Sequence, residues 1–351
     1  MQSYTKFNFY ILFTIVVLFS LVCFFIDKFV PPVSPFVPDG ARFRDQTMFG
    51  VDGWSKAKIE HARHLPRFDV GLFGNSRILM VSARSMGREP DRVFNFGVGG
   101  QSFRHSIYMA EQLAAFGKLP KTIIISFDHV ALDYAGLWIE YHDVASSMIG
   151  FFRDIRGLFR SPDARKSDFN TLVHTLPRRT AARMGHIFNL DRLGNKLQLF
   201  RRAYFDRPTS PATYDWRQDG SRQPSSKAKT RMDPSSEVDP GMLSTDLRYP
   251  LLEDDLNRLV EAGRRAGSKV IIYESPLNPA LSSEIEAGLD ALAHDMRRRL
   301  FATCRKISLI CFRAPKLPLN RGEAFWADLT HPPAEFIGAW ISKIALGELS
   351  P

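Results

Sequence analysis

Val70-Gly71-Leu72-Phe73-Gly74-Asn75-Ser76-Arg77 is a short apolar run closed by a tight polar turn. Such a run reads as a buried strand that delivers a serine at its carboxyl end. The strand extends over Asp69 to Phe73, and Arg77 to Met86 reads as the start of a helix. The alternation continues outward. Arg92 to Phe96 is a second strand, broken by Gly97, Gly99 and Gly100, and Ser102 to Phe116 is an amphipathic helix. Lys121 to Phe127 is a third strand, apolar on both faces as strands inside a parallel sheet are. Farther along, Leu252 to Ala266 reads as helix, Lys269 to Tyr273 as strand and Ser283 to Ala302 as helix. Lys306 to Phe312 is then a strand, and Pro333 to Leu346 a closing helix. Strand alternating with helix predicts an α/β fold, a parallel sheet between two helical layers with right-handed crossovers.

The first forty residues follow another rule. Phe7 to Ile26 is almost wholly apolar, and about twenty such residues span a bilayer. The run ends in Cys23-Phe24-Phe25-Ile26-Asp27-Lys28, a poor cleavage site. The expectation is an uncleaved transmembrane helix within residues 1–28, then a proline-rich stalk and lead-in over 29–66, then one domain over 67–351. Lys6 precedes the span while Lys28, Arg42 and Arg44 follow it, so basic residues do not favour an inside N-terminus. A cytoplasmic body on a tether stays open on that count.

A large insertion, 137–249, fits no strand–helix rhythm. Ser147 to Arg160 places Met148, Phe151, Phe152, Ile155 and Phe159 on one helical face, with Arg153, Arg156 and Arg160 elsewhere. That pattern suits a helix capping the core, or one lying on a membrane. Residues 206–247 are rich in Ser, Pro, Asp and Lys and nearly lack aliphatic side chains, which predicts a long mobile loop or disordered lid.

The chain carries a net charge of +10, and residues 151–207, with thirteen Lys/Arg against five Asp, hold about +8 of it. Such a segment suits anionic lipid head groups or an acidic polysaccharide, or is simply a solvated face. No nucleic-acid motif accompanies it. Cys304 and Cys311 flank a strand-like run and are either a disulfide of an oxidising compartment or two buried thiols. No cysteine–histidine cluster has zinc spacing, and no metal or organic cofactor is expected.

Far from the first strand, Asp328-Leu329-Thr330-His331-Pro332 puts a carboxylate and an imidazole three residues apart, just before the closing helix. A serine hydroxyl becomes a nucleophile when an imidazole accepts its proton and a carboxylate orients that imidazole. Ser76, His331 and Asp328 are therefore the candidate nucleophile, base and orienter. Other roles stay open: a serine after Gly-Asn is also a common helix N-cap, and His105, His129, His142 and His174 compete as bases. Gly97-Val98-Gly99-Gly100 misses the spacing of a dinucleotide-binding loop.

In this order, the strand-turn serine, the glycine block, the third-strand terminus and the C-terminal Asp-x-x-His resemble the SGNH (GDSL-like) hydrolase superfamily. The resemblance covers roughly 68–135 and 249–346. It implies that Ser76 is the nucleophile, and that an N–H in the second block, at Gly99 or Gly100 with Gly97 also open, helps form an oxyanion hole. The family's third block supplies an asparagine donor where this chain has Asp128. An ionised carboxylate cannot donate, and losing one such donor costs roughly 2.7–4 kcal/mol in catalysis. Either Asp128 is protonated, another group donates, or catalysis is weak. With an N-terminal anchor, the chain is most similar to the envelope branch, which includes the D-alanyl transfer protein of teichoic acid synthesis and the alginate O-acetylation proteins. That likeness implies a periplasmic domain on the inner membrane, a polysaccharide substrate, a membrane-bound O-acyltransferase partner, and acyl transfer or removal. The alternative is a non-catalytic assembly or glycan-binding subunit.

Overall fold

The computed structural model describes residues 10, 11, 14, 17, 18, 50–128, 144–162, 164–173, 214–217, 219–224, 249–276, 295–315, 332–349 and 351. Tyr10, Ile11, Thr14, Val17 and Leu18 are helical and exposed, and the rest of the expected anchor lies outside the described residues. Among the described residues, no helix is long and apolar enough to cross a membrane.

Five parallel strands form the sheet: β1 (Val70–Phe73), β2 (Val93–Asn95), β3 (Thr122–Phe127), β6 (Lys269–Glu274) and β7 (Ile310–Phe312). Their spatial order is β2-β1-β3-β6-β7. Leu72 pairs with Ile124, Ile124 with Ile271, and Ile271 with Ile310. The strands are apolar because both faces are covered, and alternate residues serve opposite layers. Ile123, Ile125 and Phe127 face one core with Phe73, Leu256 and Leu300. Ile124 faces the other, with Leu72, Ile78, Ile337 and Ile341. The fold is thus α/β, an all-parallel sheet flanked by helices.

The first layer comprises α1 (Gly50–Arg63), α3 (Phe103–Ala115), α6 (Leu252–Ala266) and the helical residues 295–306, labelled α7. Helix α1 falls in the expected lead-in, yet Trp54, Ile59 and Ala62 belong to the core. The opposite layer is built by α2 (Ser76–Leu79) and α8 (Ala334–Leu346). Outside α3 and α6 runs α4 (Val144–Arg160), followed by α5, residues 166–173.

Three local expectations change. The helix after β1 stops at Leu79, and only a 3₁₀ turn, Arg84–Met86, follows. Val81 N turns back to Ile78 O at 2.9 Å in a tighter turn, and Asn95 Nδ2 donates to the Ile78 and Val81 carbonyls at 2.7 Å each, holding the chain in that turn. Helix α7 persists to residue 306, so β7 begins at Ile310 rather than Lys306. Ser308 turns the chain at φ +55°, and Cys304 and Cys311 are joined in a disulfide across that turn. Most of 206–247 lies outside the described residues, but within it β4 (Tyr214–Trp216) and β5 (Arg222–Pro224) pair as an antiparallel hairpin. The turn of that hairpin is buried: Asp219 O accepts from Asn95 N at 2.7 Å, and Asp219 Oδ2 from Ala83 N at 2.6 Å. A polar composition marked this stretch as solvated, but Asp219 supplies the acceptors that β2's open edge and Ala83 require.

Candidate active site

Connection β1→β2 leads to one side of β1, and β2→β3 returns to the other, so the winding reverses between β1 and β3. In open parallel sheets ligands bind outside the carboxyl ends of the strands at this reversal. Ser76 and Asp128 follow the strands on either side of it.

Gly74 makes the turn possible. Its φ is +149°, and a Cβ there would lie 2.0 Å from Ser126 Oγ on β3, so only glycine lets β1 end so close to its neighbour. Asn75 then caps α2, its side chain accepting from Arg77 N at 3.0 Å. Asn75, not Ser76, is the N-cap, and Ser76 is half-buried at the first helical position. The cap role that a serine in this turn suggests is therefore filled by its neighbour.

Asn75 has a second task. Its Nδ2 donates to Asp128 Oδ2 at 2.7 Å, and the same oxygen lies 2.9 Å from Arg77 Nε. Arg77 Nη1 donates to the Pro276 carbonyl at 3.3 Å, so the cluster ties together the ends of β1, β3 and β6. Arg77 and Asp128 are only 4% exposed. An ion pair this secluded survives because its charges neutralise each other, and removing either partner strands the other. Asp128 Oδ2 thus serves an amide and a guanidinium. Arg77 Nη2 is buried without a hydrogen-bond partner among the described residues.

The glycine block lies beside this turn. Phe96 N donates to Leu72 O at 2.7 Å and Val98 N to Gly74 O at 3.0 Å, carrying the β1–β2 ladder past the strand ends. Gly97 N donates to Asn95 Oδ1 at 2.8 Å, which removes it from the candidate oxyanion donors. Gly99 and Gly100 sit in the following turn, partly exposed, Gly100 at φ +75°. Among the described residues neither N–H is donated to a backbone carbonyl. Lys58, fully buried on α1, braces the block: Nζ donates to the carbonyls of Asn95 (2.7 Å), Gly97 (2.6 Å) and Gly220 (2.9 Å). Lys58, Asn95 and Asp219 had no motif to announce them. A lysine on a helix that otherwise buries Trp54 and Ile59 was the available signal.

Asp328 and His331 lie outside the described residues, as do His129, His142 and His174. Pro332 and Pro333 are described and buried, and α8 begins at the next residue. Trp340 of α8 packs on Tyr273 and Phe312, near the carboxyl ends of β6 and β7. Burial pushes the Tyr273 phenol well up, keeping it neutral under the site. His105 is a core residue, its Nε2 2.8 Å from Ser55 Oγ. Among the described residues no three His, Cys, Asp or Glu side chains converge to hold a metal. A cavity of about 520 Å³ lies between α4, α6 and α7, where Arg160, Arg299 and Lys306 face Glu253 and Asp254. It shares no lining residue with the cluster at Ser76. No protein-family model matches this chain, and no curated protein matches it.

Proposed function

We propose that the chain is a membrane-tethered, SGNH-like serine O-acyltransferase or acylesterase acting on an envelope or exported polysaccharide. The observation that carries this is the half-exposed Ser76, free of cap duty, at the winding reversal of a parallel sheet with the Gly99-Gly100 turn alongside. In this scheme His331, oriented by Asp328, takes the Ser76 proton as Oγ attacks an acyl carbonyl. The oxyanion is met by backbone N–H groups of Ser76 and of Gly99 or Gly100. Collapse of that adduct breaks the bond from the acyl carbon to the donor's oxygen, which leaves with the proton from His331. The acyl group on Ser76, brought by a membrane-bound O-acyltransferase partner or taken from an acylated sugar, then passes to a sugar hydroxyl or to water, whose proton His331 accepts.

The Cys304–Cys311 disulfide supports an extracytoplasmic domain, since such bonds persist in oxidising compartments. Residues 7–26 would hold that domain at the inner membrane in a single pass. One observation favours a second role, a non-catalytic glycan-binding or assembly subunit. Asp128 is committed to Asn75 and Arg77, so position 128 offers no side-chain donor to an oxyanion.

The test is covalent labelling of the full chain by a fluorophosphonate, read by intact mass, with Ser76→Ala alongside. The expected result is one adduct on the parent and none on the variant. An adduct that persists in Ser76→Ala, or no adduct on the parent, overturns the nucleophile assignment; the second outcome favours the non-catalytic subunit.

A further inference from the structure

Helix α4 is fixed in its orientation by its inner side. Asp154 accepts from Arg104 of α3 at 2.7 Å in a fully buried pair. Gly157 lies so close to α6 that a Cβ would meet Asp254 Oδ2 at 2.7 Å and Leu251 at 2.8 Å. Leu158 is buried, and Phe151 and Ile155 pack against the core. The residues on the other side therefore cannot turn inward. Ile149 is 68% exposed, Phe152 62% and Phe159 76%. They recur at helical spacing, on one stripe with Arg156, which is exposed as well. Phe159 meets Phe169 of α5, and Val173 continues the apolar surface there.

Among the described residues of α4, α5 and the turn between them, the exposed charges have one sign. Arg156, Arg160, Arg165 and Lys166 are exposed, whereas the two described acidic residues of 148–173, Asp154 and Asp168, are both buried. Exposed aromatic and aliphatic side chains ringed by arginine and lysine, with the described acids of these two helices withdrawn, match a bilayer interface. A helix that merely capped the core would turn Phe152 and Phe159 inward. Sequence periodicity alone put Phe151 and Phe152 on one stripe; the structure divides that stripe, sending Phe151 and Ile155 to the core and Phe152 and Phe159 outward.

We propose that the outer face of α4 and α5 docks on an anionic lipid bilayer, with Ile149, Phe152 and Phe159 entering the acyl boundary and the surrounding cations meeting lipid phosphates. This docking is independent of the chemistry at Ser76. It would lay the first helical layer against the membrane and hold the domain at a fixed attitude rather than swinging on its stalk.

The full chain, carrying Cys23→Ser and a single environment-sensitive fluorophore at Phe152→Cys or Phe159→Cys, is reconstituted in vesicles. One set contains equal parts phosphatidylglycerol and phosphatidylcholine, the other phosphatidylcholine alone. In the anionic vesicles both labels are expected to lose most of their emission to a lipid-borne nitroxide and to be shielded from aqueous iodide. Neutral vesicles, or Arg156→Glu with Arg160→Glu, should lower the lipid-exposed fraction about tenfold, since each basic residue at such a surface contributes several-fold in affinity. Iodide access in the anionic vesicles overturns the proposal. So does shielding that ignores lipid charge and the nitroxide, which would mean that the chain covers its own face. Shielding that rises with protein density would assign the face to a second copy. Carbonate extraction reports the N-terminal span separately, so its failure is told apart from failure of this face.

Discussion

Two buried arginines organise this molecule, and they are satisfied to different degrees. Behind the sheet, Arg104 Nε donates to Asp255 at 2.5 Å, and Nη1 and Nη2 donate to Asp154 at 3.2 and 2.7 Å. Tyr249 adds a hydrogen bond to Asp255, and Arg258 lies 2.9 Å from the same carboxylate. At the carboxyl edge, Arg77 has one carboxylate and one distant carbonyl, and its Nη2 is left over. Arg104 itself is served at all three nitrogens, as each orphaned donor costs stability. Arg258 Nε beside it, like Arg77 Nη2, is buried without a hydrogen bond among the described residues. Departures from that rule concentrate where a fold serves something other than its own stability. The contrast is between these two guanidinium groups, Arg104 fully served and Arg77, beside Ser76, with a nitrogen to spare.

The sharpest way to break the contrast is to remove Arg104. Arg104→Leu leaves Asp154 with Arg153 at 3.7 Å and Asp255 with Arg258 at 2.9 Å, and the expected loss is about 3–5 kcal/mol in urea unfolding. The pH dependence follows. Burial raises the Asp255 carboxyl, but Arg104 and Arg258 outweigh it and hold the group below its ordinary value. A carboxyl depressed in the folded state contributes stability in full above its unfolded pKa, near 4, and loses it as pH falls through the lower folded value. That acid-side slope should flatten in Arg104→Leu. A variant with the parental midpoint at pH 7 would mean that the network is no more than packing.

At the carboxyl edge the telling change is an exchange rather than a deletion. Asp128→Asn leaves Arg77 buried opposite a neutral amide, with an expected loss of about 2–3 kcal/mol. Asn75→Asp sets two carboxylates 2.7 Å apart and should cost a similar amount. Combining them restores one amide, one carboxylate and one guanidinium, so much of the loss should return, with a coupling of about 1–3 kcal/mol. Simple additivity of the two losses would show that Asn75 and Asp128 do not act as a pair.

These outcomes bear on what the chain disclosed in advance. The strands β1, β3 and β6 and the helices α3 and α6 were legible because apolar periodicity and glycine punctuation are local. Ser76 was legible for the same reason, as a turn residue after a buried strand. The Asn75–Asp128 contact was not, because it joins residues 53 apart in sequence through the winding of the sheet. Lys58 and Asp219 were further out of reach. Each looks like a solvated charge, and each is buried because a distant backbone group needs it. The end of α7 was misjudged for a related reason, since apolar residues over 307–312 cannot say where a left-handed turn will fall.

The hairpin turn supplies the smallest and most discriminating test. Where Arg77 and Arg104 are held in ion pairs, Asp219 is held by neutral donors: its carboxylate accepts from Ala83 N, from Ser221 N at 3.0 Å and from Ser221 Oγ at 2.7 Å. Its backbone carbonyl, which pairs with Asn95, survives any side-chain change. Asp219→Ala should therefore cost only about 1–2 kcal/mol, chiefly for the orphaned Ala83 N–H. Asp219→Asn keeps an acceptor and should recover most of it. Amide exchange at Ala83 would rise in the alanine variant while exchange at Asn95 stays slow. If Asp219→Ala instead costs as much as Asp128→Asn, the insertion is a full partner in the fold, and the distinction between charged knots and backbone-fed ones fails.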